Sequence, residues 1–273
     1  MIALRFAVPF AALLLAPVGL WVAGVALRTI AMVLAAAIIL TASLALEPGN
    51  AAVAAVIPFA AASAWAAWHN PPLRLPCLYL AAGSVALALS RGDLEIPFFP
   101  PAFLLLTAIH FYYAGFAASI FTARTATALG EQAATPWFGI PRLMVMGAPL
   151  ALVPATVASR YLEAAVVFVQ TLAITAIAGF ALLATTGSRR PLRSLSLSIA
   201  AACAVIGMAA SAIFAASRFG NLYWLPVPEL GALHAVAMGV GFSLIGLLAW
   251  LEPVPAPAQL DHTRSGASSR VPS

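Results

Sequence analysis

The chain has 273 residues, of which 63% are hydrophobic and only 8% are charged, and its mean hydropathy is +1.03. This composition excludes a soluble globular domain and indicates an integral membrane protein, with the lipid bilayer as its main partner. The formal net charge of +5 comes from arginines scattered between apolar runs, so the sequence predicts no nucleic-acid partner.

Apolar runs that approach the length of a membrane-spanning helix, about 20 residues, recur along the chain. We predict helices because the alternating pattern of transmembrane strands is not visible and backbone groups in lipid must bond internally. In chain order, the nine predicted segments are Phe6 to Leu27, Thr29 to Leu46, Ala51 to Trp68, Leu75 to Ser90, Pro101 to Ala123, Leu143 to Ala158, Leu162 to Ala184, Leu195 to Ser217 and Leu230 to Leu251. The predicted fold is an all-α polytopic transmembrane helix bundle over residues 1–252.

The ends of the predicted helices carry the information on orientation. The chain has no lysine, and most of its arginines fall on one side of the nine-helix arrangement; only Arg5, Arg91, Arg160 and Arg218 fall on the other. The positive-inside rule then predicts a cell-membrane protein with its N-terminus outside and its C-terminus in the cytoplasm. The longest predicted cytoplasmic loop runs from Thr125 to Arg142. The proline- and serine-rich residues 253–273 are predicted to be a disordered cytoplasmic tail.

Six polar residues inside the apolar segments or at their ends are candidates for a functional site. Ionisable groups at membrane depth are costly and usually face the protein interior. The stretch from Leu104 to Ser119 in the fifth segment contains one histidine, with a threonine and a tyrosine at offsets of three that share its helical face. A second histidine lies in the ninth segment, and both belong to the same half of the bilayer. We take as hypothetical catalytic residues His110, Tyr113 and His234, and as hypothetical substrate-binding residues Thr107, Glu229 and Gln170.

The alternative to a functional site is that these polar groups only join helices through hydrogen bonds. Small residues around both histidines favour close contact, so we expect the fifth and ninth helices to be neighbours near the centre of the bundle. His69 and His262 are predicted to be exposed to solvent. Cys77 and Cys203 stand far apart and form no metal-binding or disulfide motif, so we expect small core residues.

Two stretches resemble a known family. The sequence LTAIHFYYAGFAASIFTAR around His110 is similar to a segment of the YndJ-like family of bacterial multi-spanning membrane proteins. The sequence LHAVAMGVGFSLIGLLAW around His234 resembles that family's late-helix pattern, but Met238 stands where the pattern has asparagine. The resemblance implies a multi-spanning membrane protein and does not imply an activity.

Three classes of function therefore remain open from the residues. The first is acid-base chemistry by His110 on a lipophilic small molecule. The second is a small-solute or proton-coupled transporter, in which Pro149 and Pro154 break the sixth helix around a site. The third is a haem- or metal-binding protein, although two histidines without cysteine or carboxylate ligands nearby do not make a metal motif. The sequence specifies no cofactor and leaves open whether the protein is an enzyme.

Overall fold

The computed structural model describes residues 2–92, 96–97, 99–186, 190–220 and 227–251. Over these residues the chain forms nine helices and no strand. Three of the helices contain a π-helical segment between two α-helical ones, and short 3-10 turns precede α4 and follow α5. The helices are α1 (Ile2–Phe10, Ala11–Leu15 and Ala16–Val22), α2 (Leu27–Ser43), α3 (Asn50–His69), α4 (Arg74–Arg91), α5 (Pro101–His110, Phe111–Ala117 and Ala118–Leu129), α6 (Pro136–Ala158), α7 (Arg160–Leu183), α8 (Pro191–Gly220) and α9 (Val227–Val236, Ala237–Ile245 and Gly246–Ala249).

Seven of these helices, α3 to α9, are long and apolar enough to cross a membrane. The apolar parts of α1 and α2 are shorter, at Phe6–Val22 and Leu27–Ser43, a length that local thinning of the bilayer accommodates. Large apolar side chains point outward from the bundle, among them Leu143 at 74% and Leu172 at 72% exposure. An apolar exterior of this kind suits lipid, and the prediction of an all-α, multi-pass membrane bundle is confirmed.

The predicted cytoplasmic loop from Thr125 to Arg142 is wrong for most of its length. α5 continues to Leu129, a 3-10 turn covers Gly130–Ala134, and α6 already begins at Pro136. Proline suits the first position of a helix because that residue's missing N–H would have no helical partner. The chain can turn sharply before α6 because Gly130 has a φ of 58°, a backbone angle that residues with a side chain rarely adopt.

Each helix contacts the next one along the chain, and three helices also meet at the centre. α1, α5 and α9 contact one another, although they are far apart in sequence. Glycines allow this approach because they have no Cβ atom. If Gly19 of α1 carried a Cβ atom, that atom would lie only 2.7 Å from the ring of Phe116 on α5. Similarly, a carbon at Gly246 of α9 would lie 2.9 Å from the ring of Phe121 on α5. Small residues thus let the backbones come close where membrane helices gain most from van der Waals contact.

Arginines fix helix ends at both faces of the bundle. Arg91, at the end of α4, donates hydrogen bonds to the carbonyls of Ser43 and Leu46 at the end of α2. At the opposite face, Arg193 near the start of α8 donates to the carbonyl of Ala249 at 3.2 Å and lies over the ring of Trp250. The last carbonyls of a helix lack partners within it, and here neighbouring helices supply them. α2 and α4 therefore run in the same direction, and α8 runs opposite to α9.

Two of the sequence predictions concern histidines away from the centre. His69 ends α3 instead of lying in a loop, and it is exposed as predicted, with its ring stacked on Trp65. His262 and the predicted tail over residues 253–273 lie outside the described residues.

Candidate functional site

The three π-helical segments meet one another where α1, α5 and α9 cross the centre of the bundle. In a π-helical turn the N–H bonds to the carbonyl five residues earlier, as Ala16 does to Ala11 and Ala118 does to Tyr113. Such wide turns are rare and often occur at functional sites. Because the three π-helical segments converge here, this part of the bundle is the candidate functional site.

His110 is the last residue of α5 before its π-helical segment begins. The side chain is half-buried, but its Nε2 atom is buried and has no hydrogen-bond partner among the described residues. A buried polar atom without a partner is uncommon and costs about 1–3 kcal/mol. No group among the described residues bonds to this nitrogen.

His234, on α9, is held by the neighbouring helix α8. Its Nδ1 atom lies 2.8 Å from the carbonyl oxygen of Gly207 and 3.1 Å from the hydroxyl of Ser211. The side chain is half-buried. Both contacts are made by the same ring nitrogen, so the opposite nitrogen, Nε2, remains for another partner.

The two histidines lie at similar depth in the bundle. α5 and α9 contact each other, as predicted: a side-chain carbon at Gly239 would lie 2.9 Å from the ring of Tyr113, and the rings of Phe121 and Phe242 lie 4.9 Å apart. Tyr113 and Gly239 therefore mark one level of the bundle. His110 lies three positions before Tyr113 on α5, and His234 lies five positions before Gly239 on α9. At about 1.5 Å of rise per residue, the histidines differ in level by roughly 3 Å.

The hydroxyls predicted to accompany His110 bond to backbone carbonyls instead. Thr107 donates to Phe103 on its own helix at 2.9 Å, and Tyr113 donates to Ala7 of α1 at 2.9 Å. Tyr113 also stacks on Phe10 of α1. Since the π-helical segment starts directly after His110, the α-helical spacing used to place these residues on one face does not continue to Tyr113.

The other two candidates are not bonded to the histidines. Gln170 is 4% exposed on α7, and no hydrogen bond joins it to His110 or His234 within the described part of the chain. Glu229 is exposed in the first turn of α9. Their roles in substrate binding stay predictions.

Several polar contacts that the fold creates were not predicted from the sequence. Tyr112 is fully buried, with its hydroxyl 3.1 Å from that of Ser84 on α4, and Tyr79 donates to the carbonyl of Met146 on α6. The contact of Ser211 with His234 was not predicted either. The one available signal was the presence of hydroxyl residues inside apolar helices, which does not reveal which helices they join.

The prolines of α6 and the possible metal ligands bear on the two alternative functions. Pro149 and Pro154 do not break α6, which runs as one helix from Pro136 to Ala158. In the described ranges, no three His, Cys, Asp or Glu side chains are grouped so that they could hold a metal ion. Cys77 is buried, and Cys203 lies against Gly241 of α9, so both fit the predicted role of small packing residues.

Comparison with known families covers almost the entire helical region. The family model described as YndJ-like protein matches residues 6–242, a range that includes His110, His234, the first two π-helical segments and most of the third. No curated protein and no solved structure matches the chain. The match extends far beyond the two stretches that carried the resemblance, and on that basis the chain belongs to the YndJ-like family.

Proposed function

We propose that His110 and His234 form an intramembrane site that performs acid-base chemistry on a lipophilic substrate. The observation that carries the proposal is the buried Nε2 of His110, which has no partner in the described part of the chain and lies at nearly the level of His234. Helices joined only by histidine hydrogen bonds would use that nitrogen. An open position beside a second imidazole instead suits a bound reactant.

The chemistry of imidazole supports this role inside a membrane. A neutral ring donates a proton from one nitrogen and accepts one at the other, so it handles protons without a lasting charge in the apolar layer. Carboxylates and ammonium groups lack this property and are costly there. Two imidazoles at one level allow one to act as the donor while the other acts as the acceptor.

The surroundings of the histidines support a substrate that arrives from the lipid. From Glu229 to Val236, every residue of α9 except Leu230 and His234 is exposed. On α5, Leu106, one turn before His110, is 49% exposed. Lipid therefore reaches the helices beside the site, and an apolar molecule need not cross water to enter it.

We propose that the N-terminus lies outside the cell and the C-terminus in the cytoplasm, following the arginine distribution. In a chain with Cys77 and Cys203 replaced by alanine, we expect a cysteine at Glu47 to react with a membrane-impermeant maleimide in intact cells. A cysteine at Glu131 should react only after the membrane is opened. Both positions are exposed between helices, at opposite faces of the bundle. Equal labelling of both in intact cells would contradict the orientation.

Mass and absorption analysis of the purified protein separates a site for a lipophilic ligand from a haem or metal site. We expect a lipophilic molecule retained in roughly equimolar amount after mild detergent extraction, because a buried site that offers hydrogen bonds holds a ligand through several purification steps. Extraction and mass spectrometry would identify it. A Soret absorption band or equimolar metal would instead favour the haem or metal class. A protein free of all three would count against a stable ligand site.

A further inference from the structure

Among the described residues, the ring of His234 makes its hydrogen bonds through one nitrogen, Nδ1. Nδ1 contacts the carbonyl of Gly207 at 2.8 Å and the hydroxyl of Ser211 at 3.1 Å. Gly207 and Ser211 are four residues apart and so lie one above the other on the face of α8 toward α9. A carbonyl oxygen carries no hydrogen, so a bond at 2.8 Å requires the proton to be on Nδ1.

We infer that Gly207 and Ser211 hold neutral His234 with its proton on Nδ1, which leaves Nε2 as the acceptor for the hydroxyl group of a neutral lipid alcohol. In a neutral imidazole only one nitrogen carries a proton, and the bond made by that nitrogen decides which one it is. The tautomer follows from contacts within the protein. The class of ligand rests on the proposed function and makes it more specific.

Close contact between α8 and α9 maintains this arrangement. Gly207 has no side chain, and a carbon there would lie 2.6 Å from Cγ and 2.8 Å from Sδ of Met238, one turn beyond His234 on α9. One turn earlier on α8, Cys203 lies against Gly241 of α9 in the same manner. The methionine fills the space beside Gly207, so the helices approach closely enough for the imidazole to reach a backbone carbonyl.

The described guanidinium groups of α5, α8 and α9 lie far from the histidines and so offer no partner to an anionic ligand. Among the described side chains of α5, α8 and α9, the guanidinium groups belong to Arg124 and Arg193. Arg193 lies beside Ala249 and Trp250 at the far end of α9, and Arg124 is fourteen residues beyond His110, roughly 20 Å along α5. An anionic headgroup would find no positive partner among these groups at the level of the histidines. A hydroxyl group, in contrast, donates to Nε2 of His234 and leaves its oxygen free for the second imidazole.

Nitrogen NMR of labelled histidine tests the tautomer. Because the chain has four histidines, replacing His69 and His262 by glutamine leaves only the two within the bundle. In nanodiscs of phosphatidylcholine, we expect the His234 resonances of a ring protonated at Nδ1. Ser211→Ala should keep this pattern because the carbonyl remains. Gly207→Ala should mix the two tautomers because its methyl group displaces Met238, whereas Gly179→Ala on α7, with nothing near, should not.

The ligand class is tested on the same sample with farnesol and farnesyl methyl ether, which share a chain and differ in the hydroxyl proton. Farnesol should shift the Nε2 resonance of His234, and the ether should not. A ring protonated at Nε2, or an even mixture in the unaltered bundle, would overturn the inference at its base. An Nδ1-protonated ring that responds equally to both probes, or to neither, would overturn the ligand class while the tautomer stands. Neither result depends on turnover, so failure here is distinct from failure of acid-base catalysis.

Discussion

Replacement of His110 by phenylalanine is expected to abolish retention of the lipophilic ligand while the protein inserts and accumulates normally. Phenylalanine keeps the ring's size and apolar character but removes both nitrogens, so it separates hydrogen bonding from packing better than alanine, which leaves a void. A hydrogen bond to a buried polar group is worth about 1–3 kcal/mol when broken, so we expect a loss in affinity of about tenfold or more. Quantitative mass spectrometry of the purified variant measures the retained ligand.

Two further variants make the His110 result decisive. His69→Phe is the matched control because that histidine is exposed at the end of α3, and it should retain the ligand fully. His110→Leu provides a second apolar replacement if the phenylalanine variant is poorly folded. Full retention by a folded His110→Phe protein would exclude the histidine from the site. Failure of both apolar variants to fold would show instead that His110 only joins helices.

Replacement of Gly115 by alanine should destabilise the bundle by about 1–3 kcal/mol, the usual cost of inserting a group into a filled core. The new methyl group would lie 2.6 Å from Cδ1 of Tyr79 and 2.8 Å from its Cβ. The tyrosine cannot easily move away, since its ring is buried against Phe111 and its hydroxyl bonds to the carbonyl of Met146 on α6. Thermal unfolding in detergent, followed by loss of the monodisperse peak, should show a lower midpoint.

Gly179 on α7 offers the matched control for Gly115. It is exposed, and nothing lies within 4 Å of a side-chain carbon added there. Alanine at this position should leave the midpoint unchanged or raise it, because glycine in a helix interior costs about 0.5–1 kcal/mol relative to alanine. Equal midpoints for the two variants would mean that Tyr79 moves aside more readily than its two anchors allow.

Hydropathy predicted the helices well because a membrane-spanning segment must form its backbone hydrogen bonds within itself, whichever helices it packs against. The predicted α4, Leu75 to Ser90, differs from the observed Arg74–Arg91 by one residue at each end. The start of α6 was misplaced by seven residues, at Leu143 instead of Pro136, because two prolines and Arg142 make this stretch resemble a loop. Hydropathy measures transfer to lipid, and it does not detect a helix that extends beyond the apolar layer.

The candidate site was predictable in its location but not in its bonding. The rarity of histidine in apolar sequence identified His110 and His234, and small residues correctly predicted that their helices contact each other. The π-helical turns were not predictable because their residues are as apolar as those of an α-helix, and a helical face assigned at 3.6 residues per turn loses its register across them. The partner of His234 is a backbone carbonyl, a group that every residue possesses and that sequence therefore cannot single out.

The meeting of α1, α5 and α9 also constrains how the protein is made. The bond between Tyr113 and Ala7 spans 106 residues of chain, and at about 5–20 residues per second the ribosome needs on the order of 5–20 seconds to supply the second partner. During this delay α1 lies in the membrane without its central neighbours. α9 arrives later still, after α1 to α8 have been synthesised. The histidine pair is therefore assembled only once α9 has entered the bilayer beside α5.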